Sequence, residues 1–380
     1  MNRTLLPAAL INLLAALIVS AQASALTTNE QRLQPQWQQL DGNGDGHVSL
    51  TELHPLQARA MQLSDNNHDG EISLSEYVEY NDDPGGAANI PLPENVTVQL
   101  DLPYAGSDDP RQRVDLYLPK KPAVDGPLPV VFYLHGGGWL MGSKIMARSQ
   151  VLNLVHSGRF AAVSAGYRLS WAASWPAQIH DVKAAVRWLR GNAGHYGLDG
   201  NRICAMGASA GGHLAALLGT TAGDAALEGD LGDYPKESSA VQCVIDFFGP
   251  ADLAAVVSQG QVSLSKPVFD LLGESDPEQR LAKARQASPL FYVSRQSAPF
   301  MILHGTRDPL VAYSDSVALR EALQVAEVPV IFQSIENGGH GDFASVVDEV
   351  NRRVAAFLEQ QFYDPATLVA AQVMVHQLQP

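Results

Sequence analysis

The chain has 380 residues, a formal net charge of −15, 46% hydrophobic residues and two cysteines. The excess of acidic groups argues against nucleic acid and anionic membrane surfaces as partners, because both are negatively charged. The length is ample for a large buried core and leaves room for a further module.

The first 25 residues have the pattern of a secretory signal peptide. Arg3 precedes an apolar run over residues 5–19, and Ala23-Ser-Ala25 fits the small-x-small cleavage pattern. The run is interrupted by a proline and an asparagine and is short for a membrane span. We therefore predict that residues 1–25 are removed from a secreted or periplasmic protein without a stable membrane anchor. An uncleaved signal anchor is the alternative.

Residues 26–80 contain two twelve-residue segments with the ligand spacing of an EF-hand calcium loop. Each has oxygen-bearing side chains at positions 1, 3, 5 and 12, a glycine at position 6 and a main-chain carbonyl ligand at position 7. Their alternation with apolar residues favours two structural calcium sites over an acidic disordered segment. The predicted ligands are Asp41, Asn43, Asp45, His47 and Glu52 in the first loop and Asp65, Asn67, Asp69, Glu71 and Glu76 in the second.

The two calcium loops are unusually close in the chain. Residues 53–64 between them have room for one helix at about 1.5 Å per residue, but not for two helices and a linker. We therefore predict one shared helix and a calcium-clamped structural or docking module rather than a calcium switch. Residues 81–93, rich in turn-forming residues, are the predicted linker to a second domain.

Residues 94–363 alternate between strand-like and helical segments, with helices from the third strand onward. This pattern predicts an α/β fold, a mostly parallel eight-stranded sheet covered by helices and preceded by the small all-α EF-hand module. Residues 253–291 are expected to form a cap over the pocket, and residues 364–380 a helical tail. The predicted strands lie near residues 96–100, 114–118, 128–134, 160–166, 202–206, 241–247, 299–303 and 328–335.

The segment Gly207-Ala-Ser-Ala-Gly211 has the pattern of a nucleophile elbow. An apolar strand precedes it and an apolar helix follows it, which is the context that the pattern requires. The turn is strained, and a side chain at either glycine would clash with the strand or the helix. Ser209 is therefore the predicted nucleophile.

Further polar groups follow other predicted strands. Asp308 and His340 lie just beyond two of them, at the sheet edge where open α/β sheets place their active sites. The chain order serine, aspartate, histidine is that of the α/β-hydrolases. The predicted catalytic triad is Ser209, Asp308 and His340. The main-chain N–H groups of Gly136, Gly137, Gly138 and Ala210 are the predicted oxyanion donors.

Other residues could fill the same roles. His135, His213 and His304 neighbour motif turns and are alternatives for the base, although an imidazole before a glycine more often shapes a turn. Asp252 and Glu336 are alternatives for the acid.

The cysteines and four aromatic residues leave structural alternatives open. Cys204 and Cys243 lie on neighbouring predicted strands, where a disulfide is conceivable in an oxidising compartment. Because strand-to-strand geometry is restrictive, we expect two buried thiols. The aromatic residues line the pocket or belong to the core; they are Trp139, Trp171, Trp175 and Phe248.

Five segments carry a family resemblance: residues 135–139, 166–169, 175–189, 209–213 and 248–252. Through them, about residues 96–362 resemble an α/β-hydrolase of the hormone-sensitive-lipase-like kind. More narrowly, they resemble bacterial esterases that remove acetyl or feruloyl groups from carbohydrates. The resemblance implies a secreted serine carboxylic-ester hydrolase for short acyl esters that works through an acyl-enzyme. It implies no cofactor for catalysis.

Two other functions share some of these features. A serine peptidase of the prolyl-oligopeptidase type has the same fold and triad, but the chain has no segment long enough for its propeller. A non-catalytic, calcium-dependent binding protein could retain the scaffold, but the intact triad argues against it.

Overall fold

The computed structural model describes residues 30, 34, 37–38, 40–53, 69–82, 90–259, 262–364 and 374–378. The predicted signal peptide, the predicted ligands Asp65 and Asn67, and the helix predicted between the calcium loops lie outside these residues. Across the described ranges, no helix has both the length and the apolar character needed to cross a membrane.

Two short strands, one from each predicted calcium loop, pair with each other. Strand β1 (Val48–Ser49) pairs antiparallel with β2 (Glu71–Ile72), so that Val48 lies opposite Ile72. Both side chains are fully buried in a small cluster that includes Trp37 and Tyr77. Helix α1 (Leu74–Asp82) follows the second loop. Pairing therefore buries the one large apolar residue at the centre of each loop.

A nine-stranded sheet forms the centre of the second domain, with strand order β11-β10-β9-β8-β7-β5-β6-β4-β3. Pairing is antiparallel between β3 and β4 and between β4 and β6, and parallel elsewhere. The predicted α/β-hydrolase fold is thus confirmed. The strands are β3 (Val96–Pro103), β4 (Arg113–Pro119), β5 (Leu128–Leu134), β6 (Ala161–Ala165), β7 (Leu198–Ala208), β8 (Cys243–Phe247), β9 (Phe300–Gly305), β10 (Val330–Ile335) and β11 (Met374–Leu378).

Helices cover the sheet because successive side chains of each strand point to opposite faces. In β5, Val130 and Phe132 enter one buried cluster, whereas Val131 and Tyr133 enter the other. Helices α3 (Ala177–Tyr196), α4 (Ala210–Thr220) and α9 (Tyr313–Val325) contribute to the first cluster. Helices α2 (Arg148–His156) and α10 (Val347–Tyr363) contribute to the second. A short helix, α5 (Ala225–Glu228), follows α4.

The segment between β8 and β9 forms three helices, α6 (Leu253–Gln259), α7 (Val262–Leu272) and α8 (Pro277–Gln286). Pro267 of α7 faces the glycine turn after β5, since a Cβ placed on Gly138 would lie 3.6 Å from the Pro267 Cβ. Helix α7 therefore lies over the turn that supplies the predicted oxyanion donors.

Two expectations from the sequence were wrong. Residues 374–378 of the predicted helical tail form a strand, β11, which pairs in parallel with β10. That pairing satisfies main-chain groups that an open edge of the sheet would expose. Cys204 and Cys243 are joined in a disulfide, not present as two thiols. They lie opposite each other on β7 and β8 with Cα atoms 4.6 Å apart, within the range that a disulfide spans.

Candidate active site

Ser209 lies at a sharp turn between β7 and α4. Its φ and ψ angles are 55° and −120°, a region that a residue with a side chain rarely adopts. A Cβ on Gly207 would lie 2.3 Å from the Gly211 carbonyl oxygen, and a Cβ on Gly211 would lie 2.1 Å from that of Leu134. Only glycine fits at either position, so the turn is a nucleophile elbow that holds Ser209 at the end of the strand.

The structure brings the three predicted catalytic residues together. The His340 Nε2 atom lies 3.0 Å from Ser209 Oγ, and His340 Nδ1 lies 2.7 Å from Asp308 Oδ2. Asp308 follows β9 and His340 follows β10, so residues far apart in sequence meet at the carboxyl edge of the sheet. In this arrangement an imidazole connects a hydroxyl to a carboxylate, as general-base activation of a serine requires.

The Asp308 side chain is buried and held by four donors. Oδ1 accepts hydrogen bonds from the main-chain N–H groups of Leu310 and Val311 at 2.8 and 3.0 Å. Oδ2 faces His340 and also His304 Nε2, at 3.1 Å. Burial by itself raises the pKa of Asp308, but the hydrogen bonds from His304 and His340 outweigh it, so its pKa lies well below the ordinary value. Asp308 is therefore an anion that can orient the imidazole of His340 and stabilise its cation.

The role of His304 was not evident from the sequence, which suggested it only as an alternative base. It is fully buried behind Asp308, and its Nδ1 lies 2.7 Å from Ser316 Oγ. It thus supports the acid rather than contacting the nucleophile. Its position at the end of β9, four residues before Asp308, was the available signal.

The other two alternative bases are buried elsewhere. Burial lowers the pKa of His135 to about 3 and that of His213 to about 4, so both are neutral near pH 7. His135 stacks on Tyr167 with ring centroids 4.3 Å apart. His213 is held between Trp139, whose indole N–H donates to Nδ1, and the Ala287 carbonyl, which accepts from Nε2. Both histidines shape the walls of the site.

Of the candidate acids, Asp308 is the one in contact with His340. Asp252 Oδ1 instead accepts a hydrogen bond of 2.9 Å from the Ala255 main-chain N–H, at the start of α6. This is a helix-capping interaction. Glu336 lies just beyond β10, half-buried.

The glycine turn after β5 packs directly on the elbow. A Cβ on Gly136 would lie 2.8 Å from the Ala208 carbonyl oxygen and 3.5 Å from the Ser209 Cβ. Ala210 starts helix α4, whose N-terminus carries a partial positive charge. The four predicted oxyanion donors thus belong to the two segments that meet at Ser209.

The four aromatic residues divide between core and pocket. Trp139 and Trp175 are buried, and their indole N–H groups donate to His213 and Gln286, respectively. Phe248 is buried against the His340 ring, with centroids 4.6 Å apart. Trp171 is half-buried and lines a cavity.

This cavity has a volume of about 520 Å³ and lies between the EF-hand module, the glycine turn and helix α7. The catalytic triad does not line it. Leu140, one of its lining residues, is two residues from Gly138, so their Cα atoms are at most about 7.6 Å apart. Aromatic and charged side chains share its walls; they include Tyr77, Trp171, Lys266, Phe269, Asp270 and Glu274.

Asp246, another buried acid near the triad, was not identified from the sequence. It interrupts a run of apolar residues on β8, and its Oδ1 accepts a 2.8 Å hydrogen bond from the Gly249 N–H. Burial raises the pKa of Asp246 to about 7, and the nearby Asp315, itself raised to about 6, adds to the shift. The charge interaction with His304 lowers the pKa of Asp246.

Asp246→Asn should therefore stabilise the protein increasingly as the pH rises. The folded wild type retains this proton up to about pH 7, whereas the unfolded chain releases it near pH 4, so wild-type stability falls between these values. Asparagine does not titrate, so above pH 7 the free energy of unfolding of the variant should exceed that of the wild type by on the order of 4 kcal/mol. Calorimetric melting at pH 5 and pH 8 measures it, with the exposed Asp108→Asn as control. An equal difference from wild type at both pH values would contradict the assignment.

The first predicted calcium loop wraps around the carboxylate of Asp41. Asp41 accepts hydrogen bonds from the main-chain N–H groups of Gly44, Asp45 and Gly46 at 2.8 to 3.2 Å. Asn43 donates to Asp45 at 3.0 Å, and Gly46 makes the sharp turn with φ of 89°. In the second loop, Asp69, Glu71 and Glu76 are among the described residues.

The described residues do not contain a group of three or more His, Cys, Asp or Glu side chains gathered as a metal site. The loop chemistry also draws on an amide and a main-chain carbonyl, at Asn43 and His47. An all-oxygen donor set with this spacing suits calcium.

Comparison with known proteins identifies relatives of both modules. The BD-FAE family model matches residues 114–323, and an EF-hand model matches residues 38–54. The esterase LipQ of Mycobacterium tuberculosis is 32% identical over 65% of this chain and 58% of its own length. The esterase LipC of the same organism is 30% identical over 62% of this chain and, again, 58% of its own. The chain thus spans less than two thirds of these relatives.

Among solved structures, a truncated carbohydrate esterase from gut microbiota is similar, with a TM-score of 0.63 and 32% identity. The match covers 70% of this chain and 96% of that one.

Proposed function

Because the chain belongs to the BD-FAE family of hormone-sensitive-lipase-like α/β-hydrolases, we propose that it is a serine carboxylic-ester hydrolase acting on short acyl esters. The observation that carries the proposal is the position of His340, within hydrogen-bond distance of both Ser209 and Asp308. The named esterases among its relatives support the same reaction class.

In the first half of the reaction, Ser209 Oγ attacks the ester carbonyl carbon while its proton passes to His340 Nε2. The anionic Asp308 holds the proton on Nδ1, so that Nε2 is free to accept, and it stabilises the imidazolium that forms. His340 then gives the proton to the departing alcohol, and the acyl group remains on Ser209.

Developing negative charge on the carbonyl oxygen needs preorganised donors. The N–H groups of the turn at residues 136–138 and of Ala210, at the start of α4, are the candidates. In the second half, His340 removes a proton from water, whose oxygen attacks the acyl carbon. His340 then returns the proton to Ser209 Oγ as the bond to the acyl group breaks and the acid leaves. Each proton transfer in this sequence has a donor or acceptor among residues of the chain.

We further propose that the alcohol portion of the substrate is a carbohydrate, with an acetyl or feruloyl group as the acyl portion. The 520 Å³ cavity supports this proposal because it combines aromatic rings with charged side chains. Sugars offer apolar C–H faces to such rings and hydroxyl groups to such acids. The orientation of the Trp171 ring is fixed, because its indole N–H donates to the Leu140 carbonyl oxygen at 3.1 Å. The carbohydrate esterase among the structural relatives is consistent with it.

Trp171→Ala should weaken recognition of the carbohydrate without affecting recognition of the acyl group. We expect kcat/KM for acetylated xylan fragments to fall about fivefold, because one aromatic contact contributes on the order of 1 kcal/mol. Turnover of p-nitrophenyl acetate, whose alcohol carries no sugar, should change less than twofold. Steady-state kinetics on both substrates measure the split.

The matched control is Phe291→Ala, which removes a half-exposed ring that does not line the cavity. It should leave both substrates unaffected. An equal loss on both substrates in Trp171→Ala, or no loss on the xylan fragments, would argue against a sugar subsite at this cavity.

We also propose that the two EF-hand loops bind calcium. The first loop supports this by its Asp41-centred turn and by the oxygen donors Asn43, Asp45, Glu52 and the His47 carbonyl. Binding would offset the repulsion among the loop carboxylates, so it should stabilise the module. Isothermal titration calorimetry with calcium tests it, and an absence of binding heat would refute the proposal.

Export is proposed on two grounds. The N-terminal 25 residues have a signal-peptide pattern, and the Cys204–Cys243 disulfide is of a kind that persists in oxidising compartments. N-terminal sequencing of the protein recovered outside the cytoplasm tests this, and an intact Met1 would count against cleavage.

A further inference from the structure

Met141 lies where the EF-hand module and the predicted oxyanion turn meet. Met141 is 3% exposed and belongs to the same buried cluster as Trp37, Val48, Ile72 and Tyr77 of the module. It also ends the turn that begins with the three glycines after β5. We propose that Met141 is a positioning residue through which calcium binding by the module fixes the oxyanion donors. This inference rests on the proposed esterase function and calcium binding.

The main chain of Met141 acts directly on the peptide group of a predicted donor. The Gly137 carbonyl oxygen accepts hydrogen bonds from the N–H groups of Leu140 and Met141, both at 3.1 Å. In a trans peptide the carbonyl and the following N–H point in opposite directions. The two hydrogen bonds that hold the Gly137 carbonyl therefore also fix the direction of the Gly138 N–H.

The backbone of the glycine turn packs closely against itself. A Cβ on Gly137 would lie 2.4 Å from the Met141 carbonyl oxygen, and a Cβ on Gly142 would lie 2.4 Å from that of Gly136. Arg111 donates to the Gly142 carbonyl. The backbone therefore folds closely on itself from residue 136 to 142, and displacement of Met141 is transmitted to the glycines.

The Met141 side chain packs against residues of the predicted calcium loops. The carbonyls of His47 and Glu71 are the predicted ligands at position 7 of the two loops. Val48 directly follows His47, and Ile72 directly follows Glu71. Val48 and Ile72 are fully buried in the cluster that receives Met141. The residues that would hold calcium are thus adjacent in the chain to those that hold Met141. Loss of calcium would loosen this cluster, since metal binding stabilises the folded module.

The first arm of the test is kinetic. For the full-length wild type with p-nitrophenyl acetate, replacing calcium with a chelator should lower kcat about tenfold with KM within twofold. This is a partial form of the hundredfold or greater loss caused by removing one oxyanion donor. Met141→Ala should start at the lower kcat and show no calcium response. Met141→Leu, similar in volume, should restore the response.

The second arm measures binding rather than turnover. In an enzyme phosphonylated on Ser209, the phosphonyl oxygen occupies the oxyanion site. Coupling between two sites is reciprocal, so the adduct should bind calcium about tenfold more tightly than the free enzyme. In Met141→Ala, the adduct and the free enzyme should bind calcium equally. Isothermal titration calorimetry gives the four dissociation constants.

Met301→Ala is the matched control. Met301 is also buried, 1% exposed, but lies on β9 in a cluster separate from the one that contains Met141. Its calcium response should equal that of the wild type. Calcium binding with an equal response in wild type and Met141→Ala would overturn this inference alone. No calcium binding at all would overturn the calcium proposal as well. Normal calcium binding without ester turnover would identify the esterase function as the failed premise.

Discussion

Ser209→Ala should lower kcat for short acyl esters about a millionfold, to the level left by the oxyanion donors and binding alone. The loss follows from the geometry, because Ser209 Oγ is the atom 3.0 Å from His340 Nε2 and alanine leaves that imidazole with nothing to activate. Hydrolysis of a p-nitrophenyl acyl series, with acetylated xylan as a further substrate, measures it.

The control for this substitution is Ser238→Ala, an exposed serine far from the elbow in the chain, which should keep full activity. A phosphonate should label the wild type and Ser238→Ala, and fail to label Ser209→Ala. If Ser209→Ala retained more than about a hundredth of the turnover, the nucleophile would be another group. A wild type without ester turnover that still bound carbohydrate would favour the binding-protein alternative.

Asp308→Asn should lower kcat about 10⁴-fold with a much smaller change in KM. The amide would present an N–H group to His340 Nδ1, and this favours the tautomer with its proton on Nε2. That nitrogen could then no longer accept the Ser209 proton. Steady-state kinetics measure the loss, and thermal melting of the variant shows whether the fold is retained.

Asp252→Asn is the matched control, since Asp252 was the alternative acid and instead caps helix α6. It should keep kcat within a few fold. If Asp252→Asn caused the large loss and Asp308→Asn did not, the acid would be assigned wrongly. The contrast is sharp because the four hydrogen bonds to Asp308 keep its charge fixed beside His340.

The fold and the identity of the candidate triad were largely predictable because their signals are local. The elbow needs glycine at 207 and 211 because the backbone approaches itself within 2.1 to 2.3 Å of a missing Cβ. The alternation of apolar strands with helices indicated a parallel sheet, since only a crossover can join parallel neighbours. The EF-hand spacing likewise reflects which residues of one short loop can face a single ion.

Tertiary contacts decided what local patterns leave open. A strand pattern does not give register, so the disulfide between Cys204 and Cys243 followed only once β7 and β8 were aligned. The C-terminal segment had no local strand signal strong enough to show that 374–378 would complete the sheet edge.

The sequence by itself determined the chemistry that the chain can present: a serine on a strained elbow, glycine-rich donors and two oxygen-lined loops. Only the tertiary structure decided which groups meet. It placed His304 behind Asp308, raised the pKa of Asp246 and packed Met141 against the EF-hand module. The physical reason is that burial and hydrogen bonding between distant segments depend on packing, which no spacing along the chain encodes.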